Sequence, residues 1–165
     1  MKVKKSKVKS KTMLIRNFKK EDALAVIKLA KEMVDHHHEI DPYYKPWNKY
    51  KGLKKHIRGW VKERDTKVLV AEEDGGIVGY ARLSVAKSPS YLAPEKIGII
   101  YDLLISKPYR RRRMGELLFH SSMDWFMAKK IKNIELSVDA RNISGVEFWK
   151  KFGFFGYKLR MRLDL

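Results

Sequence analysis

From residue 12 onward the apolar positions fall into strand-like and helix-like stretches separated by Gly, Pro and Asp. Met13-Leu14-Ile15-Arg16 reads as a short strand. Ala23, Val26, Ile27, Ala30 and Val34 then recur at helical spacing and predict an amphipathic helix over residues 20–36, with Glu21 and Asp22 in its first turn, where negative charge is favoured. Pro42 and Pro46 break the chain into a loop, and Leu53, Ile57, Trp60 and Val61 predict a second helix over residues 49–64, basic on its outside. A strand over residues 67–73, the tight turn Asp74-Gly75-Gly76 and a partner strand over residues 77–86 make a hairpin. After a Pro-containing loop (residues 88–94), the β-branched run 97–105 reads as a buried strand, and Leu117, Leu118, Phe119, Met123, Trp125, Phe126 and Met127 predict a helix over residues 115–130. A strand (134–138), a helix (144–152) and a closing strand (154–165) complete the order. Strands mixed with helices and joined partly as hairpins indicate an α/β (α+β) fold: one domain whose mixed, mostly antiparallel sheet carries helices on both faces.

Length and composition narrow the picture. A chain of 165 residues suffices for one domain with a single core, which is expected to span residues 12–165. With no cysteine, neither a disulfide framework nor a thiolate metal site can be proposed. No stretch is long and apolar enough for a membrane span or a signal core, so a soluble, cytoplasmic protein is expected. Glutamine is absent while Lys, Arg and Glu abound, a thermophile-like pattern that seven methionines oppose. The net charge is +18; residues 1–11 hold six lysines and no acid and read as a flexible basic arm, which leaves +12 on the rest. Such a surface favours polyanionic partners, including nucleic acid, and disfavours a free polycation as substrate.

The chemistry concentrates in Lys107-Pro108-Tyr109-Arg110-Arg111-Arg112-Arg113-Met114-Gly115-Glu116, between the 97–105 strand and the following helix. A helix N-terminus offers unpaired N–H groups and partial positive charge, both suited to phosphate, and Gly115 would let backbone approach a ligand. The stretch reads as an anion site, for a pyrophosphate; the alternative is a solvated basic surface or a nucleic-acid patch. His36-His37-His38 invites a metal reading, yet consecutive residues at a helix end point in different directions, so no metal site is expected.

Tyr109-Arg110-x-x-Arg113-x-Gly115 resembles motif A of the GNAT superfamily of acetyl-CoA-dependent N-acetyltransferases, in which a strand ending in aspartate and apolar residues runs into Tyr-Arg-Gly-x-Gly-x-Gly. Asp102 to Gly115 keeps the length, the flanking strand and the last glycine, with Arg111 and Arg113 in place of two glycines. Residues 137–154, with Asn142, Phe148-Trp149 and the closing Gly153-Phe154, are similar to motif B. The resemblance implies transfer of acetyl from acetyl-CoA to a primary amine of a small molecule or protein by direct attack. It implies that the backbone of Leu103, Leu104 and Ile105 pairs with the pantetheine arm. The N–H groups of Arg110, Arg111, Arg112, Arg113, Met114, Gly115 and Glu116 would surround the pyrophosphate, and Asn142 would contact the arm nearby. Arg113 in a glycine's place requires a negative φ or mild strain. Trp149 stands where many relatives carry a tyrosine acid; an indole cannot give up its proton, so it becomes a wall of the thioester site. Tyr101 and Tyr157 are candidate acids, and Asp102 is the candidate base, directly or through water, or else a structural carboxylate. By the same resemblance the 36–47 segment borders the acceptor pocket, with Glu39 and Asp41 to hold an amine and Tyr43, Tyr44 and Trp47 as walls. Dimerisation is common among such domains, and the closing strand is a candidate support for a homodimer. The competing function is a basic RNA- or ribosome-associated protein that keeps the fold without catalysis, joined to the first by an enzyme whose substrate is bound to nucleic acid.

Overall fold

The computed structural model describes residues 12–60 and 63–165; the basic arm expected over residues 1–11 and Val61 lie outside them. Five strands form one sheet in the order β1 (Met13–Asn17), β2 (Thr66–Glu73), β3 (Gly76–Lys87), β4 (Lys96–Ile105) and β5 (Ile134–Leu136). The first four are antiparallel and β5 joins β4 in parallel. Period-2 alternation splits the buried side chains between two cores. Val68, Val70, Tyr80 and Leu104 face α1 (Ala23–Ile40) and α2 (Leu53–Gly59), while Leu69, Ala71, Leu83 and Ile100 face α3 (Met114–Ala128). Helices therefore cover both faces, as the pattern predicts.

Several boundaries differ from the sequence reading. α1 runs four residues past His36, to Ile40, and ends where Asp41 turns extended ahead of Pro42. The second helix is short: a single 3₁₀ turn, Trp47–Lys49, precedes Gly52 at φ +82°, and α2 starts only after it. Ile57 and Trp60 fix it, both buried against α1 and the sheet. Glu21 and Asp22 lie in a 3₁₀ turn before α1 rather than in its first turn, and the Asp22 carboxylate is gripped by Arg16 of β1 at 2.7 and 2.9 Å. The closing strand is absent: after α4 (Ile143–Lys151), residues 155–165 form no strand and make no backbone hydrogen bond within the chain, among the described residues. β5, their nearest candidate partner, is three residues long and too short to hold a longer strand.

Two irregularities break the ladder. Between Ala71/Glu72 of β2 and Gly79/Ile77 of β3, Val78 is an extra residue. Between Arg82/Leu83 of β3 and Asp102/Ile100 of β4, Tyr101 is the extra one. Gly79 lies beside the first: a Cβ there would fall 2.5 Å from the Leu104 carbonyl oxygen and onto Ile105 Cδ1. Because one of those neighbours is backbone, Gly79→Ala is expected to lower unfolding free energy by about 1–3 kcal/mol, measured by urea titration with an unchanged m-value.

Candidate active site

The β4-to-α3 turn is built around a residue distant in sequence. Glu32, on α1, accepts from Ser106 Oγ (2.8 Å), from the Lys107 backbone N–H (2.9 Å) and from Arg110 (3.4 Å). Arg110 also caps the end of β4, donating from Nε to the Ile105 carbonyl at 2.8 Å. Arg112 reaches Glu73 at 3.3 Å and lies over the Tyr109 ring. Arg110 and Arg112 are thus committed to carboxylates, whereas the exposed side chains of Arg111 and Arg113 make no hydrogen bond or ion pair among the described residues. Both adopt the left-handed conformation, φ +60° and +62°. Arg113 thus takes the positive φ of the glycine it replaces and carries the strain, about 1–2 kcal/mol for a residue with a Cβ. It is the N-cap of α3 with no side-chain cap, and among the described residues no protein acceptor takes the N–H groups of residues 111–116. Six consecutive donors, the positive end of a fifteen-residue helix and two uncommitted guanidinium groups meet at one turn.

Gly115 sits in the first turn of α3, and a Cβ there would lie at ordinary contact distance from Phe148 (3.4 Å) and Ile105 (3.8 Å). Asn142 is the N-cap of α4, its Oδ1 accepting from Gly145 N–H at 3.1 Å. Trp149 is half-buried among Phe119, Phe148 and Phe154.

β4 pairs with β5 only at Gly98–Ile100. Beyond the Tyr101 bulge, Leu103, Leu104 and Ile105 keep β3 on one side and, among the described residues, no strand on the other. At the fork lies a cleft of about 280 Å³ lined by Ile99, Ile100, Tyr101, Glu135, Leu136 and Ser137. The bulge leaves Tyr101 half exposed at its mouth and brings Asp102 onto the face of Tyr80 and Leu104. Asp102 makes no hydrogen bond among the described residues; burial pushes its carboxyl up to about 6, against the pull of Arg82 opposite it. Arg82 is held by Glu63 (3.0 Å) and stacks between the rings of Trp60 and Tyr101, at 5.0 and 4.5 Å. An aspartate in this state, beside an open cleft, suits proton transfer near neutral pH.

The acceptor-loop residues lie apart from this cluster. Asp41 is buried and accepts from Arg141 (2.7 Å), Arg162 (2.8 Å) and the Tyr43 N–H (3.1 Å), which hold its carboxyl well below the usual range. Arg162 also covers the Tyr43 ring at 4.3 Å. Tyr44 leans on His37, and Glu39 pairs with His36 at 3.7 Å. His38 Nδ1 meets the Tyr44 carbonyl at 2.6 Å, and the His36 and His37 rings lie 6.4 Å apart. Among the described residues no group of three or more His, Cys, Asp or Glu side chains gathers as a metal site. Tyr157 is exposed, with its hydroxyl pushed up by the Glu135 carboxylate that it bonds.

The sequence pattern of the family described as the acetyltransferase (GNAT) family matches residues 31–154, three quarters of the chain. The chain belongs to the GNAT acetyltransferase family. An uncharacterized N-acetyltransferase of Methanocaldococcus jannaschii is 24% identical over 144 residues, 87% of this chain and 61% of that protein, so the chain spans under two thirds of that relative. A putative ribosomal protein bS18-alanine N-acetyltransferase of Bacillus subtilis is 26% identical over 134 residues, 78% of this chain and 79% of that protein. Among solved structures, an aminoglycoside N-acetyltransferase in complex with CoA superposes with a TM-score of 0.77 over 96% of this chain and 97% of its own, at 13% identity. This GNAT chain thus shares its whole architecture with that enzyme.

Glu32, Arg82 and the Arg141–Asp41–Arg162 cluster were missed by the sequence reading. Arg82 had a signal, a lone charge inside the buried run Val78–Leu83, where an unpaired guanidinium would be costly. Glu32 had none, since it sits just off the apolar stripe of α1 like any surface acid.

The state of Asp102 sets a test. Its carboxyl is raised in the fold, so its favourable contribution is complete below about pH 4 and is lost as pH rises through about 6. Asp102→Asn should therefore unfold with the wild type at acid pH and be more stable above pH 6 by about 1–3 kcal/mol, read by denaturant titration at several pH values. A stability gap that does not change with pH would show that this carboxylate is not forced to ionise in a dry setting.

Proposed function

We propose that this GNAT domain is an N-acetyltransferase that passes acetyl from acetyl-CoA to a primary amine by direct attack. One observation carries the reading: beyond the β5 pairing, the edge of β4 runs without a strand partner into a turn whose amides at residues 111–116 have no acceptor, among the described residues. Residues 110–116 would hold the pyrophosphate through their N–H groups, with Arg111 and Arg113 adding charge. Leu103, Leu104 and Ile105 would pair with the pantetheine arm, and Asn142 and Trp149 would flank it. Bound there, acetyl-CoA supplies an activated thioester whose thiolate is a good leaving group.

The chain's own groups then manage protons. Asp102 takes one from the incoming ammonium, directly or through water, because its raised carboxyl changes state near 6 while the amine would otherwise stay charged. Tyr101, at the cleft mouth under Arg82, is the acid that returns a proton to the departing thiolate. Of the acceptor loop, Glu39 and Tyr44 contact the amine-bearing substrate, with Tyr43 as a wall, and Asp41 acts through Arg141 and Arg162 as the anchor of the loop. No helix among the described residues is long and apolar enough to cross a membrane, and a cytoplasmic enzyme fits the reading.

A second reading rests on the charge of the acceptor side. Between Pro42 and Lys62 the chain has no acid, and Lys45, Lys49, Lys51, Lys54, Lys55 and Arg58 are exposed, with no ion pair among the described residues. That surface favours an acceptor on a nucleic-acid-bound protein, or a nucleic-acid partner alone.

Calorimetric titration of acetyl-CoA at moderate and high salt separates the two. Backbone amides and a strand edge predict binding that survives high salt, weakened about three- to tenfold in Arg111→Gly/Arg113→Gly as only the charge-dependent part is lost. Binding that vanishes with salt would make the turn a general anion patch and put the nucleic-acid reading first. In amine-acetylation assays, Asp102→Asn should lose about 10²–10⁴-fold in kcat/KM, and the wild-type rate should rise through about pH 6; a flat profile would dismiss Asp102 as base.

A further inference from the structure

Arg82 and Asp102 are direct cross-strand partners on β3 and β4, which puts their side chains on one face of the sheet. Each has an unmet demand. Among the described residues the Asp102 carboxylate accepts no hydrogen bond, and the buried Nε of Arg82 donates none. An oppositely charged pair at this spacing, partly out of water, gains by closing. It stays open because the guanidinium is engaged elsewhere. Its Nη2 donates to Glu63 at 3.0 Å, and it lies over the rings of Trp60 and Tyr101, 5.0 and 4.5 Å from their centres. Trp60 serves through its ring, since its N–H has no acceptor among the described residues.

We propose that Glu63 is a positioning residue for Asp102: it holds Arg82 on Tyr101 and away from the carboxylate opposite, so that Asp102 stays free to take up a proton. The consequence for catalysis rests on the reading of Asp102 as the base. An arginine closed onto an aspartate makes a strong acid of it, and a strong acid is a poor base. An aspartate in a partly dry layer with no cation near it would instead hold its proton too firmly. Glu63 keeps Arg82 between these limits, near enough to draw the carboxyl down from where burial alone would place it, and too committed to pair. The other groups on this face leave that control to Arg82. Tyr80, across on β3, is buried and its hydroxyl is pushed well up, so it stays neutral. Tyr101 lies beside Asp102 on β4. On α1, Glu32 is taken by Ser106 and Lys107, and on α2, His56 meets Trp60 edge-on. Glu63 itself is partly exposed in the segment before β2, so exchanging it disturbs no core.

The carboxyl resonance of Asp102, assigned by its loss in Asp102→Asn, reports the effect directly by NMR across pH in the full chain. The wild-type midpoint is expected at about 6. Glu63→Gln frees Arg82 to close on Asp102 and should lower the midpoint by about 1–2 pH units. Arg82→Met keeps a stem between the two rings and should raise it by about one. In the Arg82→Met background, Glu63→Gln should add little, because its effect runs through the guanidinium. Glu63→Asp keeps the carboxylate and should titrate close to the wild type; should Arg82→Met misfold, the contrast of Glu63→Gln with Glu63→Asp still decides. In amine-acetylation assays the rise in rate of Glu63→Gln should move to lower pH, with kcat reduced roughly three- to tenfold and KM little changed. A midpoint that does not move in Glu63→Gln, or that moves equally with and without Arg82, would overturn the proposal. Midpoints that move as expected beside an unmoved acetylation profile would uphold it and remove Asp102 as the base instead.

Discussion

β4 has a hydrogen-bonded partner on both sides only as far as Ile100, and the site depends on that limit. Up to that point the strand sits inside the sheet. At Tyr101 an extra residue enters, β5 ends its pairing, and the edge of β4 beyond it has no strand partner among the described residues. An exposed strand edge inside a folded protein is a liability unless something pairs with it. Here the same bulge that opens the edge turns Asp102 to the face on which Tyr80 and Leu104 pack, where it is partly buried and its carboxyl is raised. One inserted residue thus separates a place for an extended ligand from the place for a proton acceptor while keeping the two adjacent.

The turn that follows shows how charge and strain are combined. Leaving Cβ-bearing residues at φ +60° and +62° costs free energy that glycine would not. What is gained is a pair of guanidinium groups on the outside of a turn whose backbone amides stay open. The turn holds its shape because Glu32 collects three donors from it and Glu73 takes a fourth. Both carboxylates come from elements that precede β4 in the chain, so the anion site is braced from behind by α1 and β2.

Much of this was legible in the residues. The 3.6- and 2-residue periods place α3 and the β2–β3 hairpin within a residue or two and α1 within three or four, because each buries one face against a layer of matching period. Asp102 was a candidate from its position, and its dry setting follows from the Tyr101 bulge, which no local pattern announces. Arg113 could be read only as needing a choice between negative φ and strain; the structure takes strain, since a ring of donors needs the left-handed turn. The expected strand over residues 154–165 has the right alternation, and it lacks only a partner. Pairing is a property of two segments, and sequence periodicity describes one.

The Asp41 cluster joins these themes. A buried carboxylate with one guanidinium partner would be poorly matched to the cost of its desolvation. Two guanidinium groups and a backbone N–H around Asp41 spread that charge over three donors, and they come from three places: the loop after β5, the C-terminal segment and the acceptor loop itself. Asp139 fixes Arg141 from its other side at 2.8 Å, with its own carboxyl held down to about 2. Order in the C-terminal segment and order in the acceptor loop are therefore one event.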